Sequence, residues 1–247
     1  MALKKRTKLA KVDTQSIIGS KISFKEKSFN FTEKQQEVLK CLLDDSTKVV
    51  FLSGPSGTSK TFMGVYAALH LLNRDYSKNI LYIRTVQECG AKGLGFLPGD
   101  QDSKFGPFQI PLEEKCDEII NEECTKALFS DEKLQAIPIN FIRGQSWKNK
   151  IVIFDEIQNG THAEIKVCLT RLGEGTKIIF CGDNSQIDMN LDKSGFADFI
   201  RAFSDEESKQ HGIHHFRFGV EDIVRSEILK FIVPRIEAMT FNQGKSI

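Results

Sequence analysis

Gly54-Pro55-Ser56-Gly57-Thr58-Ser59-Lys60-Thr61 follows the pattern G-x-x-x-x-G-K-[ST] at every fixed position except one, where Ser59 stands in place of the second glycine. In a loop of that pattern, successive backbone N–H groups cradle phosphates. The lysine ammonium reaches the β and γ phosphates of ATP, and the following hydroxyl ligands Mg²⁺. Residues 54–61 would then contact the nucleotide, with Lys60 on the phosphates and Thr61 on the metal. A Gly/Ser-rich turn that N-caps a helix has a similar composition. Glycine at position 59 would let backbone approach a phosphate with no Cβ in the way, so serine there predicts weakened binding. Downstream, Ile151-Val152-Ile153-Phe154-Asp155-Glu156 sets two carboxylates at the end of an apolar run. That is a Walker B pattern, in which Asp155 would hold Mg²⁺ and Glu156 would position or deprotonate the attacking water. An acidic first turn of a following helix is the competing reading.

These residues need a frame. Val49 to Leu52 is a short β-rich run leading into the loop, and a helix carrying Phe62, Met63, Val65, Ala68, Leu69 and Leu72 follows. Ile80 to Ile83 completes a βαβ unit. Further strands are predicted at Ile139 to Ile142, Ile151 to Phe154 and Ile178 to Cys181, with helices near 111–128 and 161–172. A strand around His214 to Phe218 and a helix from Glu221 to Glu237 close the pattern. Continuous apolar strands alternating with helices predict an α/β fold, mostly parallel, with helices on both faces. The carboxylates then sit where open α/β sheets bind ligands, beyond the carboxyl ends of the strands. Upstream, Val38, Leu39, Leu42 and Leu43 recur at helical spacing from Thr32 to Asp44, with Thr32 and Gln35 forming a capping box. The stretch 86–112 is rich in Gly and Pro and predicts a functional loop.

The 247 residues suit one large domain, and a net charge of +1 gives no global footprint for coating nucleic acid. Residues 1–28 are polar, with Lys4, Lys5, Arg6, Lys8 and Lys11, and read as a basic flexible tail or loosely attached segments; residues 29–237 form the domain and 238–247 a C-terminal tail. The cysteines at 41, 89, 116, 124, 168 and 181 show no metal spacing and suit a reduced, cytoplasmic protein. No export signal and no membrane-spanning run is expected.

Gly182-Asp183-Asn184-Ser185-Gln186 follows another apolar strand. The order of phosphate loop, Asp155-Glu156-x-Gln158 and Gly182-Asp183-x-x-Gln186 resembles superfamily 1 helicases. That resemblance implies that Gln186 senses the γ-phosphate and that Gln35 contacts adenine, alongside its capping-box reading. Leu94-Gly95-Phe96-Leu97-Pro98-Gly99-Asp100, Phe141-Ile142-Arg143-Gly144, Leu169 to Gly173, Gln186-Ile187-Asp188 and Asp222-Ile223-Val224-Arg225 resemble, in order, the signature blocks of the PhoH-like ATPases. This second resemblance covers roughly Phe29 to Pro234. It implies a RecA-like P-loop NTPase domain, cytoplasmic, often associated with RNA and sometimes assembled as a six-membered ring. Arg225 matches the late arginine of that family and would meet charge developing on the γ-phosphate. Its alternative is a helix-surface arginine paired with Asp222 or Glu221. With about a dozen residues after Pro234, no fused nuclease is expected.

The expected function is hydrolysis of Mg·ATP coupled to single-stranded RNA or DNA, RNA first, including an RNA helicase activity. The basic tail, and Lys92, Phe96, Lys104, Phe105 and Phe108, could meet phosphates and bases. Arg84, Arg143 and Arg171 are further candidates for nucleic-acid or intersubunit contact. Because a second RecA-like domain is missing from this stretch, a homo-oligomeric ring, a hexamer first, is expected to supply Arg225 in trans. The alternatives are a small-molecule kinase on the same loop and a nucleotide-binding module with little turnover. His214 and His215 are expected to satisfy local hydrogen bonds.

Overall fold

A computed structural model describes residues 21–85, 101–142, 144–184, 194–224 and 226–243. Its centre is a six-stranded sheet ordered β3-β2-β4-β5-β1-β6, and every pairing in it is parallel. The strands are β1 (Val49–Ser53), β2 (Asn79–Arg84), β3 (Leu134–Pro138), β4 (Lys150–Asp155), β5 (Lys177–Gly182) and β6 (Ile213–Arg217). Side chains alternate across each strand. Val50, Leu52, Ile80, Tyr82, Ile151, Ile153, Ile179 and Cys181 therefore build one core, while Val49, Phe51, Leu81, Ile83, Val152, Phe154, Ile178 and Phe180 build the other.

Helices α1 (Glu33–Leu43), α2 (Lys60–Arg74), α3 (Gln101–Ile119) and α4 (Glu122–Ser130) cover the first face. Helices α5 (His162–Leu169) and α6 (Phe196–Ala202) cover the second, with α7 (Glu206–Gln210) leading into β6 and α8 (Glu227–Gln243) last. Both faces are thus buried, which is why the strands read as unbroken apolar runs. The α/β, RecA-like expectation holds, and the sheet is wholly parallel.

Three expected elements fall elsewhere. The strand placed at 139–142 is a 3₁₀ turn over Ile139–Phe141, and the edge strand is β3, just before it. Ile139 and Ile142 are buried while Phe141 is 52% exposed, so the apolar run obeys a spacing of three and not of two. The helix at 111–128 is really two. α3 begins at Gln101, inside the stretch read as irregular, and runs through Pro107 and Pro111. Asn121 then caps α4 by accepting from the Cys124 N–H at 2.8 Å. The helix placed from Glu221 starts at Glu227, after a 3₁₀ turn over Val220–Asp222, and continues to Gln243.

Residues 21–31 have no regular structure, yet they pack. Phe24 is buried, the Lys27 N–H donates to the Ile119 carbonyl at 2.8 Å, and Lys21 reaches the carbonyl of Asn73. The described cysteines are free thiols, and burial pushes the pKa values of Cys116, Cys168 and Cys181 upward. Among the described residues no helix is long and apolar enough to cross a membrane.

Candidate functional site

The carboxyl ends of β1, β2, β4 and β5 converge on one cleft of about 800 Å³. Leaving β1, the chain turns through Gly54 at φ +143° and Gly57 at φ +87°, conformations open to glycine. A Cβ on Gly54 would lie 2.5 Å from the carbonyl oxygen of Phe218, so this glycine is required by packing against the segment after β6. Ser59 sits at φ +65° and ψ 22°, in the left-handed region that costs a non-glycine residue about 1–2 kcal/mol. It gives α2 no side-chain cap, which leaves the first N–H groups of that helix facing the loop, an arrangement suited to an anion.

Thr58 is buried and its hydroxyl closes the loop on the Pro55 carbonyl at 2.9 Å. The Lys60 ammonium donates to the carbonyls of Gly54 (2.7 Å) and Pro55 (2.8 Å). Burial pushes its pKa below the usual lysine range, opposed by the negative charges of Asp183, Glu156 and Asp155.

Asp155 ends β4 and is 9% exposed. Its Oδ1 accepts from the Thr61 hydroxyl at 2.6 Å and its Oδ2 from the Tyr82 hydroxyl at 2.5 Å. Burial and the Asp155 charge hold the Tyr82 phenol far above its usual pKa, so it remains a donor. Glu156 follows at φ +56°. Its carboxylate accepts from Gln158 Nε2 at 2.6 Å and faces Arg84 at 3.9 Å, while the Thr85 hydroxyl donates to its backbone carbonyl. Gln158 in turn accepts from the Asp183 N–H at 3.0 Å, and Asp183 is buried at the end of β5.

Gln35 makes the capping box, its Oε1 accepting from the Thr32 N–H at 3.0 Å, and it lines the cleft beside Phe29 and Phe31. The capping-box reading of Gln35 therefore holds, and its adenine contact belongs to the function proposed below. Lys34 pairs with Asp222 at 2.6 Å, and the Val224 N–H donates to the Gly57 carbonyl at 3.2 Å. Asp222 thus has a partner other than the arginine first considered for it. Among the described residues, no group of three or more His, Cys, Asp and Glu side chains gathers as a metal site would.

The cleft brings together Gln35, Ser56, Gly57, Ser59, Lys60, Thr61, Asp155 and Glu156 from elements far apart in the chain. Gly54, Pro55 and Thr58 shape the loop through the contacts above. Gln186, Arg225, Arg143, Lys92 and Phe96 lie outside the described residues, as do the side chains of Lys104 and Phe105. Of the other arginines considered, Arg171 donates to the Gln145 carbonyl, while Arg84 lines the cleft and faces the Glu156 carboxylate. His215 bonds Ser53 at 2.8 Å, as expected of a local hydrogen bond. Sequence reasoning missed Tyr82, which looked like one more apolar strand residue. Only the pairing of β2 with β4 places it against Asp155.

The chain resembles proteins already described. A family model for "PhoH-like protein" matches residues 29–237. A PhoH-like protein from Synechocystis sp. is 34% identical over 233 residues, covering 94% of this chain and 66% of the relative. One from Bacillus subtilis is 40% identical over 150 residues, covering 60% and 47%. The chain therefore spans about half to two-thirds of the length of these curated relatives. Among solved structures, the large terminase from a thermophilic bacteriophage aligns with a TM-score of 0.48 at 11% identity, covering 84% of this chain and 50% of that one. A phosphate loop on a parallel sheet, faced by a paired aspartate and glutamate, agrees with a family match across most of the sequence: the chain belongs to the PhoH-like protein family.

Proposed function

We propose that this chain binds Mg·ATP in the cleft and hydrolyses it, with turnover coupled to single-stranded nucleic acid, RNA first. The observation that carries this reading is the meeting of Thr61 and Asp155 at 2.6 Å, beside Lys60 and Glu156 on the same cleft. Lys60 and the N–H groups of the loop and of α2 bind the phosphates. Thr61 and Asp155 offer hard oxygen donors converging on one point, the donor type Mg²⁺ prefers, and would hold it. Bound there, Mg²⁺ supplies charge neutralisation on the phosphates. Glu156 orients the attacking water and takes its proton. Gln35, Phe29 and Phe31 form the wall that receives the base, while Gln186 and Arg225 are assigned to the γ-phosphate.

A carboxylate at Glu156 suits a water nucleophile better than a kinase acceptor, and this ranks hydrolysis above small-molecule phosphorylation. A binding module with little turnover remains the alternative that Ser59 motivates. The family membership and the basic residues Lys4, Lys5, Arg6, Lys8 and Lys11 support the nucleic-acid partner, and the free thiols suit a cytoplasmic location. Phosphate release, measured with and without single-stranded RNA and DNA, tests the reading. Stimulation by RNA is expected, whereas a phosphorylated acceptor in place of free phosphate, or ATP binding with no release, would replace it with one of the alternatives.

The reading extends to assembly as a head-to-tail homo-oligomer, a ring of six first, with Arg225 acting on a neighbour's site. The bond from Val224 to Gly57 of the same chain favours a second reading, in which Arg225 acts within its own subunit. Mixing Lys60→Ala with Arg225→Ala subunits separates them. Recovered hydrolysis requires the arginine in trans, and no recovery despite demonstrated subunit mixing assigns it in cis.

A further inference from the structure

Glu156 is the candidate base, and its carboxylate alone would be free to rotate. Three neighbours restrain the residue. Thr85, just beyond β2, donates its N–H to the Asp155 carbonyl at 3.2 Å and its hydroxyl to the Glu156 carbonyl, which fixes the backbone in its left-handed turn. Arg84 faces Oε1 at 3.9 Å. Gln158, in the 3₁₀ turn Ile157–Asn159 and 1% exposed, donates from Nε2 to Oε2 at 2.6 Å.

The other end of Gln158 is also committed, since Oε1 accepts from the Asp183 N–H at 3.0 Å. Its partners fix which way the amide points: a carboxylate can only accept and a backbone N–H can only donate. Glutamine meets both demands at this length. Glutamate would lose the donor, and asparagine would be one methylene short. Room for the bridge comes from Gly182, where a Cβ would stand 3.1 Å from Gln158 Oε1 and 2.6 Å from the ring of Phe196.

We infer that Gln158 is a positioning residue for hydrolysis: it holds the Glu156 carboxylate in place for the attacking water and ties it to the backbone at the end of β5. The inference rests on the ATPase reading above. Gln158 does not line the cleft, and its described side-chain bonds run to Glu156 and to the Asp183 N–H, so its loss is expected to misplace the base more than to weaken nucleotide binding. A displacement of about 1 Å in such a group lowers turnover on the order of a hundredfold.

The test compares wild type, Glu156→Gln, Gln158→Leu and the double variant, reading phosphate release at saturating ATP, affinity for a fluorescent ATP analogue, and thermal melting. Gln158→Leu is expected to lower kcat roughly ten- to a hundredfold, with affinity within about threefold of wild type. Added to Glu156→Gln it should cost almost nothing more, because the two residues act as one unit. An unchanged kcat for Gln158→Leu, a loss of affinity matching the loss of turnover, or full multiplication of the two losses in the double variant would each overturn the inference. If Gln158→Leu does not fold, Gln158→Glu takes its place. It keeps the volume and the acceptor for Asp183 while setting a carboxylate against the base, and a folded Gln158→Glu with wild-type kcat overturns the inference equally. Normal hydrolysis by Glu156→Gln would remove the ATPase reading and this inference with it, whereas an inactive Glu156→Gln beside normal Gln158 variants defeats the inference alone.

Discussion

Ser59 and Glu156 share one backbone conformation, at φ +65° and +56°, and have opposite surroundings. Ser59 occupies its left-handed turn without a side-chain cap, at a position where the loop pattern carries glycine. At Glu156 the Thr85 hydroxyl holds the backbone carbonyl, and Arg84 and Gln158 hold the carboxylate. Strain at a residue with no side-chain bond described marks a position its loop tolerates. Strain that several partners enforce marks a side chain whose direction matters.

The largest effect should come from the phosphate side of the cleft. Lys60→Ala removes the cation proposed for the β and γ phosphates and should abolish turnover, by roughly a thousandfold or more in phosphate release. Near-normal release would remove the loop assignment. Glu156→Gln should slow hydrolysis on the order of 10²–10⁴-fold and leave Mg·ATP binding close to wild type, because Thr61 and Asp155 are untouched. A parallel fall in affinity, read by calorimetric titration, would make Glu156 structural.

Glycine substitutions compare the strained pair directly. Ser59→Gly relieves the turn against the greater freedom of an unfolded glycine, for a net gain of up to about 1 kcal/mol. In a chain of this size that raises Tm by roughly 2–4 °C. ATP binding should tighten, and a weaker affinity would show that the loop uses the serine hydroxyl. Glu156→Gly relieves the same conformation but discards the bond to Gln158, so it should give no rise in Tm while turnover is lost. Equal stabilisation by both substitutions would erase the distinction drawn between the sites.

Tyr82→Phe, on the buried side of Asp155, should cost about 1.5–3 kcal/mol in urea unfolding, the usual consequence of removing a buried donor to a charged acceptor. The smallest effect concerns His215, which anchors the end of β1 through Ser53. Burial lowers its pKa, and Arg217 adds to the shift. As pH falls, the unfolded chain takes up the proton first, so the stability this histidine contributes is present above its ordinary value of 6.5 and is lost below it, toward the folded value. Wild type should therefore lose more of its unfolding midpoint than His215→Asn between pH values of about 7.5 and 5.5.

Most of the fold was legible because its strands are buried on both faces and announce themselves as apolar runs, and because Thr32 and Gln35 mark the start of α1 by capping chemistry. The loop and the acidic pair were legible because their chemistry is local. Ile139 to Phe141 misled because a half-buried 3₁₀ turn and a strand can share a composition. Pro107 and Pro111 hid the first half of α3, since proline argues against a helix interior. What no local pattern revealed was lateral: Tyr82 against Asp155, Arg84 against Glu156 and Gln158 against Asp183 all depend on which strands lie side by side. The order β2-β4-β5 decides those contacts, and neighbours in a parallel sheet are not neighbours in the chain. The glycine pattern also concealed its reasons, because position 59 calls for glycine through its backbone angle and Gly54 is required by Phe218.

That last contact has a mechanical side. The Phe218 carbonyl lies where a Gly54 side chain would be, the Phe218 N–H holds the Ser53 carbonyl at 2.7 Å, and the Val224 N–H holds Gly57. The phosphate loop and the segment after β6 are therefore tied together at three points beside the end of β1. Nucleotide binding is therefore expected to slow hydrogen exchange at the Phe218 and Val224 amides as well as in the loop.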